Sequence, residues 1–388
     1  MPIDPTPPDA EARALSARLV EHVAGLIEQA GGFLPFDVYM DAALYTPGLG
    51  YYSNGLTPFG EQGDFVTAPE SGDLFARCLA RCIAPVLLKT DKSSVLELGA
   101  GSGALVVDLL LALQRLDALP ERYAILERSF AMRAMQKTQI SQLPDDLQSR
   151  VEWLDELPCD WVGVIFGNEV VDALPVKRFQ YKEGKIRELG VGMAAGELQW
   201  QSIEADVGDR ERMKALSRQY GWEGDYKTEH CPALADWAGS LAASLKQGVL
   251  LLVDYGYGRA EYYHPQRNMG TLLCHYQHQA HDNVFWYPGL QDITAFVDFT
   301  SIVEAVTDAG MTFVGYTSQA RFLVDAGIDQ VMSEADPDEL PDFLKMTSDA
   351  KRLMLPGEMG DRFKVIGFSR NLDQQIPGFD SQDLRGRL

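Results

Sequence analysis

The stretch Ser94-Val-Leu-Glu-Leu-Gly-Ala-Gly-Ser-Gly103 dictates how the rest of this chain is interpreted. Its apolar first half predicts a short buried strand, and glycine then recurs at every second position, at Gly99, Gly101 and Gly103. Apolar residues at helical spacing follow in residues 104–115, which predicts a helix directly after the turn. Glycines let the backbone approach a ligand closely, and the free N–H groups of a helix start face that ligand. A strand, a glycine turn and a helix in this order are typical of a nucleotide-binding α/β unit.

The glycine turn alone leaves the ligand open. Gly99, Gly101 and Ala104 also satisfy the dinucleotide pattern of NAD-binding folds, and a tight turn can bind nothing at all. Two acids bear on the choice: Glu97 lies on the predicted strand, and Glu127 ends the next predicted strand, Tyr123-Ala-Ile-Leu-Glu127. An acid in that second position can accept hydrogen bonds from both hydroxyls of a ribose. Because strand, turn, helix and second acid agree, we favour a site for a nucleoside cofactor.

The amino-acid composition limits the classes of protein to which this chain can belong. The 388 residues are 46% hydrophobic and 23% charged, which predicts a soluble globular chain of one large domain with additions, or of two domains. The net charge of −22 argues against nucleic acid as a partner. The sequence has no apolar run of about 18 residues, so we predict no membrane-spanning helix. The start of the chain has no basic targeting pattern, so we expect a cytoplasmic protein.

A long loop rich in glycine, aromatic residues and isolated acids lies before the glycine turn, in residues 45–70. We name it the clasp, because a long aromatic loop in a compact protein is usually functional and this one is expected to cover the cofactor pocket. The alternative is a purely structural segment that packs without touching a ligand.

Polar residues also follow the predicted strand Val162-Gly-Val-Ile-Phe166, where Asn168, Glu169 and Asp172 occur within five positions. In a doubly wound sheet, ligands bind beyond the carboxyl ends of the strands, so these three residues are candidates for the chemistry. The alternative is that Asn168 or Asp172 only caps a helix.

The segment 178–230 has a different pattern, with an alternating hairpin around Glu183-Gly184 and further short strands. We interpret it as an inserted cap that selects the substrate. His275, His278 and His281 are spaced by three in a later loop, but the setting offers few other ligands, and we predict no metal. The predicted organisation is given by residue ranges: 1–90 for N-terminal helices and clasp, 91–177 and 231–370 for the core, 178–230 for the cap, and 371–388 for a loose tail.

Several motifs together resemble one family, the MidA family of class I S-adenosylmethionine-dependent methyltransferases, over about residues 15–370. The motifs are Pro47-Gly-Leu-Gly-Tyr-Tyr-Ser53, Gly63-Asp-Phe-Val-Thr-Ala-Pro-Glu70, the glycine turn preceded by Glu97, Asn168-Glu-Val-Val-Asp-Ala-Leu-Pro175, Asp254-Tyr-Gly-Tyr257, Gly270-Thr-Leu272 and Asp292-Ile-Thr-Ala-Phe-Val-Asp-Phe299. The family includes a mitochondrial complex I assembly factor. One departure is Phe296, where many members carry histidine.

The resemblance implies a fold, a cofactor and a reaction. The fold would be a doubly wound, Rossmann-like sheet of seven strands with a reversed last hairpin. The cofactor would be S-adenosylmethionine, and the reaction would be methylation of a protein arginine in a complex I-type subunit. The cofactor-binding residues implied by position are Gly63, Asp64, Thr67, Glu97, Gly99, Gly101, Gly103, Glu127 and Asn168. Asn168 and Glu169 would lie at the reacting end of the cofactor.

The chemistry of arginine methylation limits which residues can be catalytic. An arginine is almost always protonated, so carboxylates must hold its guanidinium and localise a lone pair on the attacking nitrogen. Glu169 and Asp172, with Asn168, are the candidates, and Asp64 and Glu70 of the clasp are their expected partners. Three alternatives stay open: methylation of a small molecule or another side chain, a cofactor-binding assembly factor that acts by holding a partner, and, more distantly, an NAD dehydrogenase. The sequence leaves a homodimer open.

Overall fold

The computed structural model describes residues 6–56, 72–334, 340–373 and 375–388, without the side chains of residues 340–342. The chain divides into two compact units. The first unit falls within Met1–Phe65, Asp172–Leu234 and Arg259–Phe296. The second unit falls within Val66–Val171, Ala235–Gly258 and Val297–Leu388. Whether these units act as a core and an inserted cap stays a prediction.

Strands occur in both units. In chain order they are β1 Leu34–Pro35, β2 Ser94–Leu98, β3 Tyr123–Leu126, β4 Val151–Leu154, β5 Trp161–Asn168, β6 Lys177–Lys182, β7 Lys185–Ala194, β8 Glu197–Glu204, β9 Asp225–His230, β10 Leu245–Tyr257, β11 Leu273–Tyr276, β12 Gln279–His281, β13 Asp292–Thr294, β14 Val297–Asp298, β15 Thr312–Ser318 and β16 Phe363–Arg370.

The helices are numbered within the described part of the chain. They are α1 Ala10–Gln29, α2 Phe36–Tyr45, α3 Leu74–Lys89, α4 Ala104–Arg115, α5 Phe130–Ile140, α6 Asp145–Gln148, α7 Val207–Tyr220, α8 Leu234–Ser244, α9 Arg259–Tyr262, α10 Phe299–Asp308, α11 Gln319–Asp325, α12 Ile328–Ser333 and α13 Leu340–Met354, with a short 3-10 helix at Arg385–Arg387. None of these helices combines the length and the apolar composition that crossing a membrane requires.

The second unit is built on one sheet with the strand order β15-β16-β10-β5-β2-β3-β4. Strands β4, β3, β2, β5 and β10 are parallel, whereas β16 runs antiparallel to both β10 and β15. This confirms the α/β fold with seven strands and a reversed last hairpin. The two-residue strand β14 adds an eighth member by pairing with the end of β10. The reversal at β3, β2 and β5 creates the switch point at which such sheets bind ligands.

Burial explains why these strands form. Every residue of β2 is buried, and the apolar run Val249–Val253 in β10 is at most 4% exposed, as expected for strands covered on both faces. Each such side chain contributes about 1.5–3 kcal/mol when fully buried. Helices α3 and α4 pack against each other and fill the same apolar core. The core therefore fixes the carboxyl ends of β2, β3 and β5 along one edge of the sheet.

The first unit contains two antiparallel sheets. The larger has the order β1-β7-β6-β9 with β8 beside β7, and the smaller has the order β12-β11-β13. The predicted hairpin around Glu183-Gly184 is confirmed as β6 and β7, which pair from Arg178 with Leu189 to Lys182 with Lys185. Helices α1 and α2 bury an apolar face against this unit's own core.

The segment after Arg370 differs from the loose tail that the sequence predicts. Ile376 is only 2% exposed, and the Leu384 N–H donates a 2.7 Å hydrogen bond to the carbonyl of Tyr316. The ring of Phe379 lies where side chains at Gly315 and Gly367 would otherwise be, so β15 and β16 leave room for it. Scattered apolar residues without helical or strand periodicity gave no sequence signal for this packing.

Candidate functional site

The glycine turn between β2 and α4 has the backbone that its sequence predicts. Gly99, Gly101 and Gly103 have φ angles of +59°, +53° and +91°, a region that other residues enter only at a cost. The Gly99 N–H donates a 3.0 Å hydrogen bond to the Leu126 carbonyl at the end of β3. The turn is thus tied to the strand end that precedes Glu127.

Gly99 also allows a close approach from the loop after β5. A Cβ atom at this position would lie 2.8 Å from Cγ1 of Val170, a distance at which one of the two must move. The chain that follows Asn168 and Glu169 therefore packs directly on the glycine turn. Two of the predicted site segments are brought together by this contact.

Glu127 follows β3 and is only 8% exposed. Its Oε1 accepts a 2.8 Å hydrogen bond from the Ser129 N–H, and its Oε2 accepts a 3.2 Å bond from Nε2 of Gln136. The Arg133 side chain donates to the Glu127 carbonyl at 2.7 Å. Burial raises the pKa of this carboxyl, and the bonds from Ser129 and Gln136 oppose that rise. The acid is thus held in place at the position predicted for a ribose ligand.

Gln136 is a functional candidate that the sequence analysis did not identify. It is fully buried, and its Nε2 also donates a 3.0 Å hydrogen bond to the Gly101 carbonyl. Its Oε1 accepts a 2.9 Å bond from Nε1 of Trp153. A signal was present: Met132, Gln136 and Ile140 form the buried stripe of α5, and a polar residue in an apolar stripe needs partners.

Glu97 lies in the interior, with a carboxyl that is 2% exposed. It accepts a short hydrogen bond from the Tyr123 hydroxyl of β3. Burial raises the pKa of Glu97 to about 8, the Tyr123 bond lowers it, and the nearby Glu127 raises it further. Burial therefore favours the protonated form of the Glu97 carboxyl at neutral pH.

The loop after β5 holds Glu169 in a strained conformation. Its φ angle is +53°, which costs a residue with a Cβ about 1–2 kcal/mol. The Glu169 N–H donates to the Val253 carbonyl at 2.9 Å, and the Val171 N–H donates to Oδ2 of Asp254 at 2.8 Å. Asp254, fully buried at the predicted functional edge, thus holds this loop. Strain that is fixed by bonds on both sides is typical of functional positions.

Asn168 is the last residue of β5 and is half-buried. Its Nδ2 donates a 3.2 Å hydrogen bond to Oε1 of Glu169. Its Oδ1 is buried, yet within the described ranges no group donates a hydrogen bond to it. A buried acceptor of this kind is expected to serve a ligand or a water molecule.

Two further sets of predicted site residues are Asp172 and the clasp residues. Asp172 belongs to the first unit, is 5% exposed, and its carbonyl accepts a 3.0 Å bond from the Ala295 N–H. In the same unit, the Tyr52 hydroxyl donates to Oδ1 of Asp292 at 2.9 Å. The clasp residues Gly63, Asp64, Thr67 and Glu70 lie outside the described residues, so their predicted roles stay predictions.

The three spaced histidines lie on a hairpin of the first unit. His275 is in β11, His281 is in β12, and His278 occupies the turn with a φ angle of +60°. Among the residues that the structure describes, one group has three potential metal ligands close together, and it is a carboxylate group rather than these histidines. It consists of Glu188, Asp206 and Asp209, with the Lys177 ammonium 2.8 Å from Oδ2 of Asp209.

Comparison with known proteins adds a family match. Residues 78–317 match the family described as "Putative S-adenosyl-L-methionine-dependent methyltransferase". That range contains the glycine turn, Glu127, Gln136 and the loop after β5.

A solved structure is similar over nearly the whole chain. It is a crystal structure from Burkholderia thailandensis bound to S-adenosyl-homocysteine, with 40% identity over 99% of this chain and 100% of that one, and a TM-score of 0.95. A second crystal structure from the same organism has the same identity and a TM-score of 0.92.

Curated relatives are more distant. The mitochondrial protein arginine methyltransferase NDUFAF7 homolog of Drosophila melanogaster is 27% identical over 92% of this chain and 87% of its own length. The NDUFAF7 protein of Homo sapiens is 27% identical over 84% of this chain and 78% of its own length. These relatives are named as mitochondrial, which contradicts the predicted cytoplasmic location. That prediction relied on a missing targeting pattern, and such an absence does not determine location.

Proposed function

The chain belongs to this family of S-adenosyl-L-methionine-dependent methyltransferases, and we propose that its methyl acceptor is an arginine side chain of a protein. S-Adenosylmethionine, rather than a nicotinamide cofactor, is therefore its cofactor. The arginine acceptor is supported by the names of curated relatives that are 26–28% identical. A homodimer and the absence of a nucleic-acid partner stay predictions.

The residues of the second unit fit this cofactor. The glycine turn offers backbone N–H groups at the start of α4, and the Glu127 carboxylate offers acceptors for two ribose hydroxyls. The buried Oδ1 of Asn168 offers an acceptor for a cationic amine such as that of the methionine part. We assign cofactor binding to Gly99, Gly101, Gly103, Glu127 and Asn168. The roles of Glu97, Gly63, Asp64 and Thr67 stay proposals as well.

The bound cofactor would supply an electrophilic methyl group, so the protein has to supply alignment and an acceptor nitrogen with a free lone pair. A guanidinium is protonated and delocalised, and a carboxylate that binds it in bidentate fashion localises its charge away from the attacking nitrogen. We assign this role to Glu169, with Asp172, three residues further along the chain, as the second candidate.

One observation carries the assignment of Glu169. The residue keeps a left-handed backbone although it has a Cβ, and bonds to Val253 and through Asp254 hold the loop in that form. A surface turn could use glycine or asparagine instead at lower cost. The retained strain is explained if this loop has to present the Glu169 carboxylate in one direction.

The test is the variant Glu169→Gln, with two readouts. Binding of S-adenosyl-homocysteine, measured by calorimetry, is expected to stay within about twofold, whereas methyl transfer to arginine-containing proteins falls at least about a hundredfold. Glu183→Gln is the matched control, because Glu183 has a similar φ of +51° in an exposed hairpin turn. Full turnover by Glu169→Gln with unchanged cofactor binding would remove Glu169 from the mechanism.

The acceptor itself needs a separate readout. Protein labelled with tritiated methyl groups from S-adenosylmethionine is hydrolysed, and methylarginine is expected among the amino acids. Label in another amino acid or in a small molecule would favour the alternative acceptors. Cofactor binding with no label, together with a stable complex with another protein, would favour an assembly factor.

A further inference from the structure

Gln136 occupies the space between the glycine turn and the ribose acid. We propose that Gln136 is a positioning residue that fixes the Glu127 carboxylate relative to the glycine turn, so that both carboxylate oxygens face the ribose hydroxyls. The inference depends on the role proposed above for Glu127, but it does not depend on which acceptor is methylated.

Both hydrogens and the oxygen of the Gln136 amide have hydrogen-bond partners. One Nε2 hydrogen points to the Gly101 carbonyl at 3.0 Å and the other to Oε2 of Glu127 at 3.2 Å. Its oxygen accepts the Trp153 indole N–H at 2.9 Å. The reversed amide would place an oxygen against two acceptors and an NH₂ group against a donor, so only one orientation satisfies all three partners.

Glu127 is fixed at both oxygens but not saturated. Oε1 accepts from the Ser129 N–H, and Oε2 accepts from Gln136. The Arg128 N–H is a further donor to this carboxylate. A carboxylate offers about four acceptor positions, so these bonds do not use all of them. The remaining acceptor capacity suits an acid that binds ribose hydroxyls.

Close packing of the backbone also fixes the position of Gln136. A Cβ at Gly103 would lie 3.1 Å from the Cα of Gln136, so α5 packs closely against the end of the glycine turn. The residue is fully buried and therefore exchanges no hydrogen bonds with solvent. A shift of α5 would move the amide relative to the Gly101 carbonyl and the Glu127 carboxylate.

The Gln136 amide stabilises the Glu127 carboxylate without adding a charge to its surroundings. The carboxyl of Glu97 approaches from β2, and the Arg133 guanidinium approaches from α5. Burial favours the protonated form of Glu127, and the donors Gln136 and Ser129 counteract it without adding a charge. Gln136 thus preserves an acceptor-only carboxylate at this position.

Two variants with opposite pH trends test the proposal by calorimetric titration with S-adenosyl-homocysteine between pH 5.5 and 8.5. Gln136→Met removes both donors, so the affinity is expected to fall about tenfold to a hundredfold. The loss should grow as the pH is lowered, because Glu127 then protonates more readily. Gln136→Glu should show the reverse, with affinity recovering at low pH, where the two carboxyls share one proton.

The controls separate positioning from general damage. Gln148→Met removes another glutamine of the second unit, one that donates to the Ser141 and Leu143 carbonyls, and the affinity of this variant should match the wild type. Trp153→Phe keeps the Gln136 amide but removes its donor, and about a threefold weakening is expected. If Gln136→Met does not fold, Trp153→Phe carries the test, and an unchanged affinity would overturn the proposal.

Different results would reject the role of Glu127 and the role of Gln136. Glu127→Gln with wild-type affinity would reject Glu127 as the ribose acid. Weak binding by Glu127→Gln, together with wild-type binding by Gln136→Met across the pH range, would reject the positioning role alone. Equal weakening of Gln136→Met and Gln136→Glu without any pH trend would make Gln136 a packing residue and would also overturn the proposal.

Discussion

The glycine turn and the loop after β5 contact each other in one unit, yet they differ in whether their buried polar groups have hydrogen-bond partners. Gln136, beside the turn, uses both amide hydrogens and its oxygen in hydrogen bonds. Asn168, after β5, has a buried Oδ1 to which nothing in the described part of the chain donates. We infer that the first region is built to hold a ligand in a fixed place, whereas the second keeps polar capacity for groups that arrive with the ligand.

The backbones of the two regions differ in the same sense. The turn reaches positive φ through glycines, for which that region is accessible without steric cost. The loop reaches positive φ through Glu169, whose Cβ makes the conformation unfavourable. This contrast leads us to expect four variants to differ in stability, from the largest change in the free energy of unfolding to the smallest.

Gly99→Ala acts on both regions at once and should have the largest effect. The φ of +59° is strained for alanine, and its Cβ would meet Val170 at 2.8 Å. We expect the free energy of unfolding to fall by about 2–4 kcal/mol and cofactor binding to be lost. Urea unfolding and calorimetry measure the two effects. Gly239→Ala, in α8 with open space around it, is the control and should be neutral or stabilising.

Glu97→Gln tests the buried acid beneath the turn. The pKa of Glu97 is about 8 in the fold against an ordinary 4.5, so the folded state holds a proton that the unfolded chain releases. The stability from the neutral carboxyl is complete below about pH 4.5 and is lost as the pH rises through 8. The variant should therefore be more stable than the wild type at pH 8.5 by about 1–3 kcal/mol. Parallel pH slopes of the two melting temperatures would contradict this assignment.

Glu169→Gly should separate stability from activity in the loop. Glycine relieves the positive φ, and we expect a gain of about 0.5–1 kcal/mol in the free energy of unfolding together with loss of methyl transfer. Glu183→Gly relieves a similar φ in the hairpin between β6 and β7 and should gain stability without losing activity. Destabilisation by Glu169→Gly would mean that the side chain serves the fold rather than the chemistry.

Asn168→Ala should have the smallest effect on stability. It removes an oxygen without a hydrogen-bond donor in the described residues and one 3.2 Å bond to Glu169, so the change should stay within about 0.5 kcal/mol. Gln136→Met, which breaks three buried hydrogen bonds, should lose about 1–3 kcal/mol by the same measurement. Equal losses in the two variants would remove the contrast between the regions.

Much of the fold follows from local pattern. The strand, glycine turn and helix at 94–115, the acid after β3 and the polar cluster after β5 are each contained in a short segment with clear periodicity. The resemblance to the methyltransferase family added the number of strands, the reversed last hairpin and the cofactor. The location was predicted wrongly, because it was inferred from a missing signal rather than from residues that are present.

The contacts that the sequence did not reveal join residues that are far apart in the chain. Gln136 joins Gly101 to Glu127 through partners 35 and 9 positions away, and Asp254 holds Val171 from 83 positions away. Neither contact can be deduced from local pattern, because the parallel order β3-β2-β5-β10 brings these segments together. Ile376 in the C-terminal segment is likewise buried in a core built from residues far away in the chain.

The sequence by itself determined the fold class and the glycine turn, because both depend on residue types at short fixed spacing. The resemblance of its motifs gave the family, and Glu127 as the ribose acid stays a prediction. The tertiary structure alone decided which buried polar groups are satisfied, the raised pKa of Glu97, and the strain at Glu169. These properties depend on burial and on hydrogen-bond partners from other strands, and such partners are set only when the sheet has assembled.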